Sequence, residues 1–281
     1  MGIIYNEKDR VFKLDTKNTS YILGINDEFG HIVHVYYGKK LRGNNCPIGM
    51  SGIDPKNKHW FMDGAWLEYP SAGVADYREH AIEIKTEEGY TTLEFGYVSH
   101  NIYKGKPGLE GLPATFAGED ECTTLELVTA DKLVGLEITL VYSVFEDVDI
   151  ITRSVRVKNI GDKLIRLNKV LSASLDVHNN DFEVITLHGS WGRERGIQRR
   201  PIGHGRQGVA SERGVSGHQD HPFIALVTNT TTQTQGEVYA MHLVYSGNFE
   251  AQCELTQHND VRMTAGISPY NFEWHLGSND T

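Results

Sequence analysis

Leu136-Glu137-Ile138-Thr139-Leu140-Val141-Tyr142-Ser143-Val144 decides the class of fold. Its even-numbered positions are all apolar and its odd-numbered ones mostly polar. Successive side chains of an extended chain point to opposite faces, so such a run is a strand with one buried face and one wet face. The same pattern recurs in Ile165, Leu167, Lys169, Leu171, Ala173 and Leu175, set against Arg166, Asn168, Ser172, Ser174 and Asp176. Val155 and Val157 alternate with Ser154, Arg156 and Lys158.

Outward from that core, further strands are expected at 21–25, 31–37, 82–85, 91–98, 123–128, 223–228, 238–245, 251–255, 261–265 and 271–276. Turn residues punctuate them, as in Asn26-Asp27-Glu28-Phe29-Gly30, Asn159-Ile160-Gly161-Asp162 and Ser246-Gly247-Asn248. No window carries the i, i+3, i+4, i+7 apolar stripe of an amphipathic helix. The expected fold class is all-β: a large antiparallel β-supersandwich with long loops and few helices, forming one domain over residues 1–281. Two segments resist strand assignment and are read as long loops, 42–80 and 188–221. Long loops in a compact domain carry function, so the chemistry is sought there.

Composition narrows the partners. The chain has 281 residues and a formal net charge of −10. A strong negative balance argues against a nucleic-acid partner, whose affinity comes from neutralising phosphates. No run approaches the length of a membrane span, so no membrane partner is expected. The N-terminal residues lack a basic-then-apolar leader, and the expected location is cytoplasmic. Cys46, Cys122 and Cys253 are odd in number and far apart, so they are read as reduced thiols.

Short motifs are mostly bland. Gly203-His204-Gly205-Arg206-Gln207-Gly208 matches a dinucleotide fingerprint letter for letter, but it lacks the preceding strand and following helix that give the motif its meaning. His204, His218 and His221 lie close in sequence without a convincing ligand spacing, and no metal site is assigned. No cofactor is implied. Arg193, Arg195, Arg199 and Arg200 cluster beside Trp191, with Glu194 inside the run. Trp191, flanked by Gly189, Ser190 and Gly192, has two readings. Its flat apolar face suits the C–H face of a sugar. It also suits a structural role closing the end of a sandwich.

Longer strings carry a family resemblance. Glu68-Tyr69-Pro70-Ser71-Ala72-Gly73-Val74-Ala75-Asp76-Tyr77-Arg78 resembles the E-Y-P-x-x-G-x-x-D-(F/Y)-R signature of microbial α-galactosidases of glycoside hydrolase family 36. So do His100 to Pro107 with Gly111 to Thr115, Gly189 to Arg195, Ser216 to Leu226, and Val244 to Phe249. The resemblance runs from about Tyr5 to Trp274.

That resemblance implies a galactose-mutarotase-like N-terminal β-supersandwich from an enzyme that removes terminal α-linked galactose from oligosaccharides such as melibiose and raffinose, with retention. It places both catalytic aspartates in a (β/α)₈ barrel following this domain, so no catalytic residue is assigned in this chain and the chain alone is expected to be inactive. It implies a homo-oligomer, a tetramer in the parent enzyme. It makes Trp191 a substrate-pocket residue. In relatives an acidic residue of the first long loop approaches the sugar. Here that loop reads Arg42-Gly43-Asn44-Asn45-Cys46-Pro47, and Asn44, Asn45 and Asp54 are the candidates to replace it. Asp76 and Arg78 are read as an ion pair fixing their loop. Two other readings stand beside this one: a free-standing carbohydrate-binding β-sandwich, and a purely structural assembly domain.

Overall fold

The computed structural model describes residues 2–26, 29–43 and 64–281. Its named elements are eighteen strands, and they fall into two compact units. Among the described residues no helix is long and apolar enough to cross a membrane.

The first unit comprises Met1–Gly108, Thr115–Asn168 and Glu273–Thr281. Strands β1 (Ile3–Asn6), β2 (Val11–Asp15), β3 (Thr19–Ile25) and β4 (Ile32–Lys39) form one antiparallel meander in chain order. Val11, Ile22, Val33 and Val35 pack together with Leu67 on it. After β5 (Ile82–Thr86), a second meander follows: β6 (Gly96–Lys104), β7 (Thr123–Asp131), β8 (Leu136–Phe145) and β9 (Ile150–Asn159). On β8 the alternating apolar row, Leu136, Ile138, Leu140, Tyr142 and Val144, is buried throughout. Burying such a side chain stabilises the fold by roughly 1.5–3 kcal/mol, so this row defines which face turns inward. Ser143, on the other face, is also buried and shares a hydrogen bond of 2.8 Å with Thr124 on β7.

Strand β10 (Ile165–His178) begins in the first unit and continues in the second, which comprises Leu109–Ala114 and Lys169–Phe272. The second unit holds β11 (Phe182–Ser190), β12 (Arg193–Pro201), β13 (Gly205–Ser211), β14 (Asp220–Thr228), β15 (Val238–His242), β16 (Phe249–Leu255) and β17 (Asp260–Ile267). They make two sheets, in the orders β12-β11-β14-β15 and β13-β16-β17-β10. Strand β18 (Trp274–Leu276) pairs with the start of β10, Leu276 opposite Ile165.

Lys169 sits in the apolar row of β10 yet is buried, with Nζ 3.2 Å from Glu250 Oε1. Burial pushes its ammonium below the usual lysine range despite that partner. Farther along, Asp176 faces Arg262 on β17 across two bonds of 2.8 Å, both side chains fully buried. Breaking such a pair leaves one buried charge uncompensated, which is why both partners hold their places.

The all-β reading agrees with this structure. The single large supersandwich is met in its antiparallel character, but the strands divide into four sheets of four to six strands. The reason lies in the connections. Successive strands pair within β1–β4 and within β6–β9, the long connection 105–122 still returning β7 beside β6, and the first ladder ends after β4 because the next strand, β5, pairs with β10 instead. Two local expectations are corrected. Residues 91–95 form no ladder, and strand structure starts only at Gly96 and runs on to Lys104. Leu93 and Phe95 are buried through loop packing instead, Leu93 N–H donating to Ala72 O at 2.7 Å. The segment 188–221, expected to be irregular, contains β12 and β13 and the adjoining ends of β11 and β14. Strand β12 is exposed at every position, so no apolar–polar alternation marks it. The described part of 42–80 is irregular as expected, with isolated bridges at Leu67 and Ser71.

Candidate functional site

Strands β11 and β12 form a hairpin whose tip is Trp191-Gly192. The ladder pairs Leu187 with Ile197 and His188 with Gly196, then slips by a bulge so that Ser190 faces Arg193. Gly189 sits in that bulge. A Cβ there would lie 2.2 Å from Arg193 O and 3.0 Å from Glu194 Cα, so no larger residue fits. Gly192 takes φ +79°, the left-handed backbone that glycine adopts without strain. Trp191, carried between them, is 87% exposed. Arg193 Nε donates to Ser190 Oγ at 2.8 Å, and Gly192 N–H donates to Glu194 Oε1 at 2.8 Å. The Gly192 N–H holds the Glu194 carboxyl below the usual range, with His218 and Arg195 adding to the effect.

The root of the hairpin is clamped by a second set of polar groups. His188 Nδ1 lies 2.8 Å from Asp220 Oδ1 and Nε2 lies 2.7 Å from Thr186 Oγ1. The carboxylate accepts, so Nδ1 carries the proton and Nε2 accepts from the threonine hydroxyl. The order hydroxyl–imidazole–carboxylate is that of a hydrolytic triad, but Thr186 is fully buried and no substrate reaches it. The arrangement fixes β11 to the start of β14, beside a backbone bond from Gly189 N–H to Gln219 O of 3.2 Å. His218 Nδ1 is 3.9 Å from Glu194 Oε1, and His221 stacks on His242 at 5.4 Å between ring centroids. Burial lowers the His221 pKa, and the nearby His242 and Arg195 lower it further. His204 lies on an isolated bridge to Leu255.

The arginine cluster is not uniform. Arg199 is spent on structure: it pairs with Glu183 and donates to Thr231 O at 2.7 Å, Asn229 O at 3.0 Å and Thr228 O at 3.2 Å. Arg193, Arg195 and Arg200 line the exposed strand. The Gly203–Gly208 string lies at β13, paired antiparallel with β16, and so lacks the strand–helix setting of a dinucleotide site.

In the first unit the Glu-Tyr-Pro motif does different work. Glu68 is fully buried and accepts hydrogen bonds from Tyr21 at 2.7 and 2.8 Å and from Tyr142 at 2.7 Å. Arg153 Nη2 lies 2.8 Å from its Oε1, and His34 Nδ1 lies 3.5 Å from Oε2. Burial alone would raise the Glu68 pKa, but Arg153, His34 and Tyr142 together outweigh it, and the net shift is downward. Burial likewise pushes both tyrosine hydroxyls far up, keeping them neutral donors. Asp76 and Arg78 form the expected pair, with Nε–Oδ1 2.8 Å and Nη2–Oδ2 2.9 Å, and Arg78 also reaches Ala65 O. A nearby cavity of about 20 Å³, lined by His31, Leu67, Tyr69, Ser71 and Phe95, has room for about one water and none for a sugar.

Trp191 is therefore the one sequence-identified candidate whose surroundings are described. Asn44, Asn45 and Asp54 lie outside the described residues. Sequence reasoning missed the Glu68 hub and the His188–Asp220 clamp. Glu68 and Asp220 both stand inside the quoted motifs, but their partners lie far away in the chain.

Residues 30–277 match the glycosyl hydrolase family 36 N-terminal domain. The α-galactosidase AgaA of Geobacillus stearothermophilus is 41% identical over 285 residues, which is 98% of this chain and 39% of that protein. The crystal structure of the family 36 α-galactosidase AgaB from the same organism superposes with a TM-score of 0.93 at 40% identity, over 99% of this chain and 39% of that one. A variant of AgaA in complex with raffinose superposes with a TM-score of 0.90 at 41% identity, over 96% of this chain and 39% of that one. The chain thus spans about two fifths of the length of these relatives.

Proposed function

The chain belongs to the glycosyl hydrolase family 36 N-terminal domain family, and from that premise we propose that it is the N-terminal part of an α-galactosidase that cleaves terminal α-linked galactose from oligosaccharides of the raffinose and melibiose type. The observation that carries this reading is the match along nearly all of this chain to about two fifths of an α-galactosidase. The raffinose bound by one relative supports the substrate class. The reaction proceeds with retention: one carboxylate attacks the anomeric carbon and a second serves first as acid, then as base. Neither carboxylate belongs to these 281 residues. Their part is to present Trp191 as one wall of the sugar pocket, with Asn44, Asn45 and Asp54 as the polar candidates of the first long loop. The enzyme works as a homo-oligomer in the cytoplasm.

The test compares this chain with the full-length enzyme on an aryl α-galactoside. The chain alone is expected to give no turnover. Parent-like turnover by the chain alone overturns the placement of the catalytic carboxylates. In the full-length enzyme, Trp191→Ala is expected to raise KM, the sign of a lost substrate contact.

A second reading, a free-standing sugar-binding module, is favoured by one feature, the 87% exposure of Trp191. It predicts that galactose or raffinose quenches or shifts the tryptophan fluorescence of this chain alone. No response at tens of millimolar sugar removes it.

A further inference from the structure

An exposed tryptophan is a useful sugar contact only if something fixes its direction. Trp191 has no ring or hydrogen-bond partner among the described residues. Its direction is therefore set by the backbone of its own turn. Among the described residues that turn has one side-chain brace on its backbone, the Glu194 carboxylate, which takes the Gly192 N–H at 2.8 Å. The residue after it, Arg195, holds φ +59°, an uncommon left-handed backbone for a non-glycine residue. Such a backbone persists when its surroundings determine it, and here it follows directly on the residue whose carboxylate folds back over the tip. Bonds that a backbone N–H donates to a carboxylate are about twice as strong as neutral ones.

We infer that Glu194 is a positioning residue: it braces the Trp191-Gly192 turn so that the indole is presented to the α-galactoside. The inference rests on the reading of Trp191 as a substrate contact. Glu194 itself need not touch the sugar. Glutamine keeps an acceptor oxygen of the same shape and reach, whereas alanine leaves the Gly192 N–H to water and the turn free to change shape.

Two measurements on the full-length enzyme test this. In steady-state kinetics on raffinose, Glu194→Ala is expected to raise KM about five-fold with kcat held, and Glu194→Gln to stay within about two-fold of the parent. In ¹⁹F spectra of 5-fluorotryptophan-labelled enzyme, the Trp191 resonance, identified by its loss in Trp191→Phe, is expected to shift or broaden in Glu194→Ala and hold its place in Glu194→Gln. A KM raised by Trp191→Ala but not by Glu194→Ala overturns the inference alone. An unmoved Trp191 resonance in Glu194→Ala does the same. If Trp191→Ala leaves KM unchanged, the substrate reading fails and takes the purpose assigned to Glu194 with it.

Discussion

Glu68 and Glu194 are both motif glutamates, and their surroundings are opposites. Glu68 has no exposed side-chain surface and is saturated by two tyrosines, an arginine and a histidine. Glu194 has 39% of its side chain exposed and braces one backbone N–H at a hairpin tip. The contrast separates two uses of the same residue type. A buried carboxylate among charged and hydroxylic partners holds a loop in the fold, because removing it strands its partners without water. An exposed one is worth little to stability but sets the shape of what lies beside it.

The comparison breaks most visibly at Glu68. Glu68→Ala removes the carboxylate that faces the Arg153 guanidinium and deprives two buried tyrosine hydroxyls of their acceptor, so it is expected to destabilise the protein by about 3–5 kcal/mol in denaturant titrations. A loss under 1 kcal/mol means the cluster is wetter than it looks. The same residue shapes the response to acid. Its carboxyl titrates below the ordinary value in the folded protein. Its stabilising share is therefore complete above about pH 4.3, the ordinary glutamate value, and drains away as pH falls through the lower folded pKa. Glu68→Gln is expected to flatten the acid limb of a stability–pH profile relative to the parent. A limb of unchanged steepness assigns acid sensitivity to other carboxylates.

At the hairpin, effects shrink. Gly189→Ala forces a methyl against the Arg193 carbonyl, and overpacking of this kind costs about 1–3 kcal/mol when the backbone must shift. Thermal melts read the loss, and an unperturbed midpoint means the bulge re-forms elsewhere. Smallest of all, Trp191→Ala is expected to leave stability within about 0.5 kcal/mol of the parent, because the ring is exposed. A larger loss would favour the structural reading of this tryptophan over the sugar-facing one.

Legibility in the sequence followed the distance between partners. The row Leu136 to Val144 was readable because burial on one face of one strand writes its own alternation. The Asp76–Arg78 pair was readable because its members are two residues apart. Strand β12 was invisible for the opposite reason: exposed on both faces, it carries no alternation, and its glycine and arginines look like a loop. The Glu68 hub was out of reach, since Tyr21 stands 47 residues away and Tyr142 stands 74 away. His188 and Asp220 are likewise 32 residues apart and meet because β11 pairs with β14.

The sequence by itself determined the all-β class, the buried rows of the strands and, through its motifs, the family, because each is written in neighbouring residues and in side-chain period. Tertiary structure decided which motif carboxylate is sealed among partners and which is left at the surface beside Trp191. Strand pairing brings remote residues to one place, and burial there sets what a charge costs. Neither can be read from residues that are adjacent only in the chain.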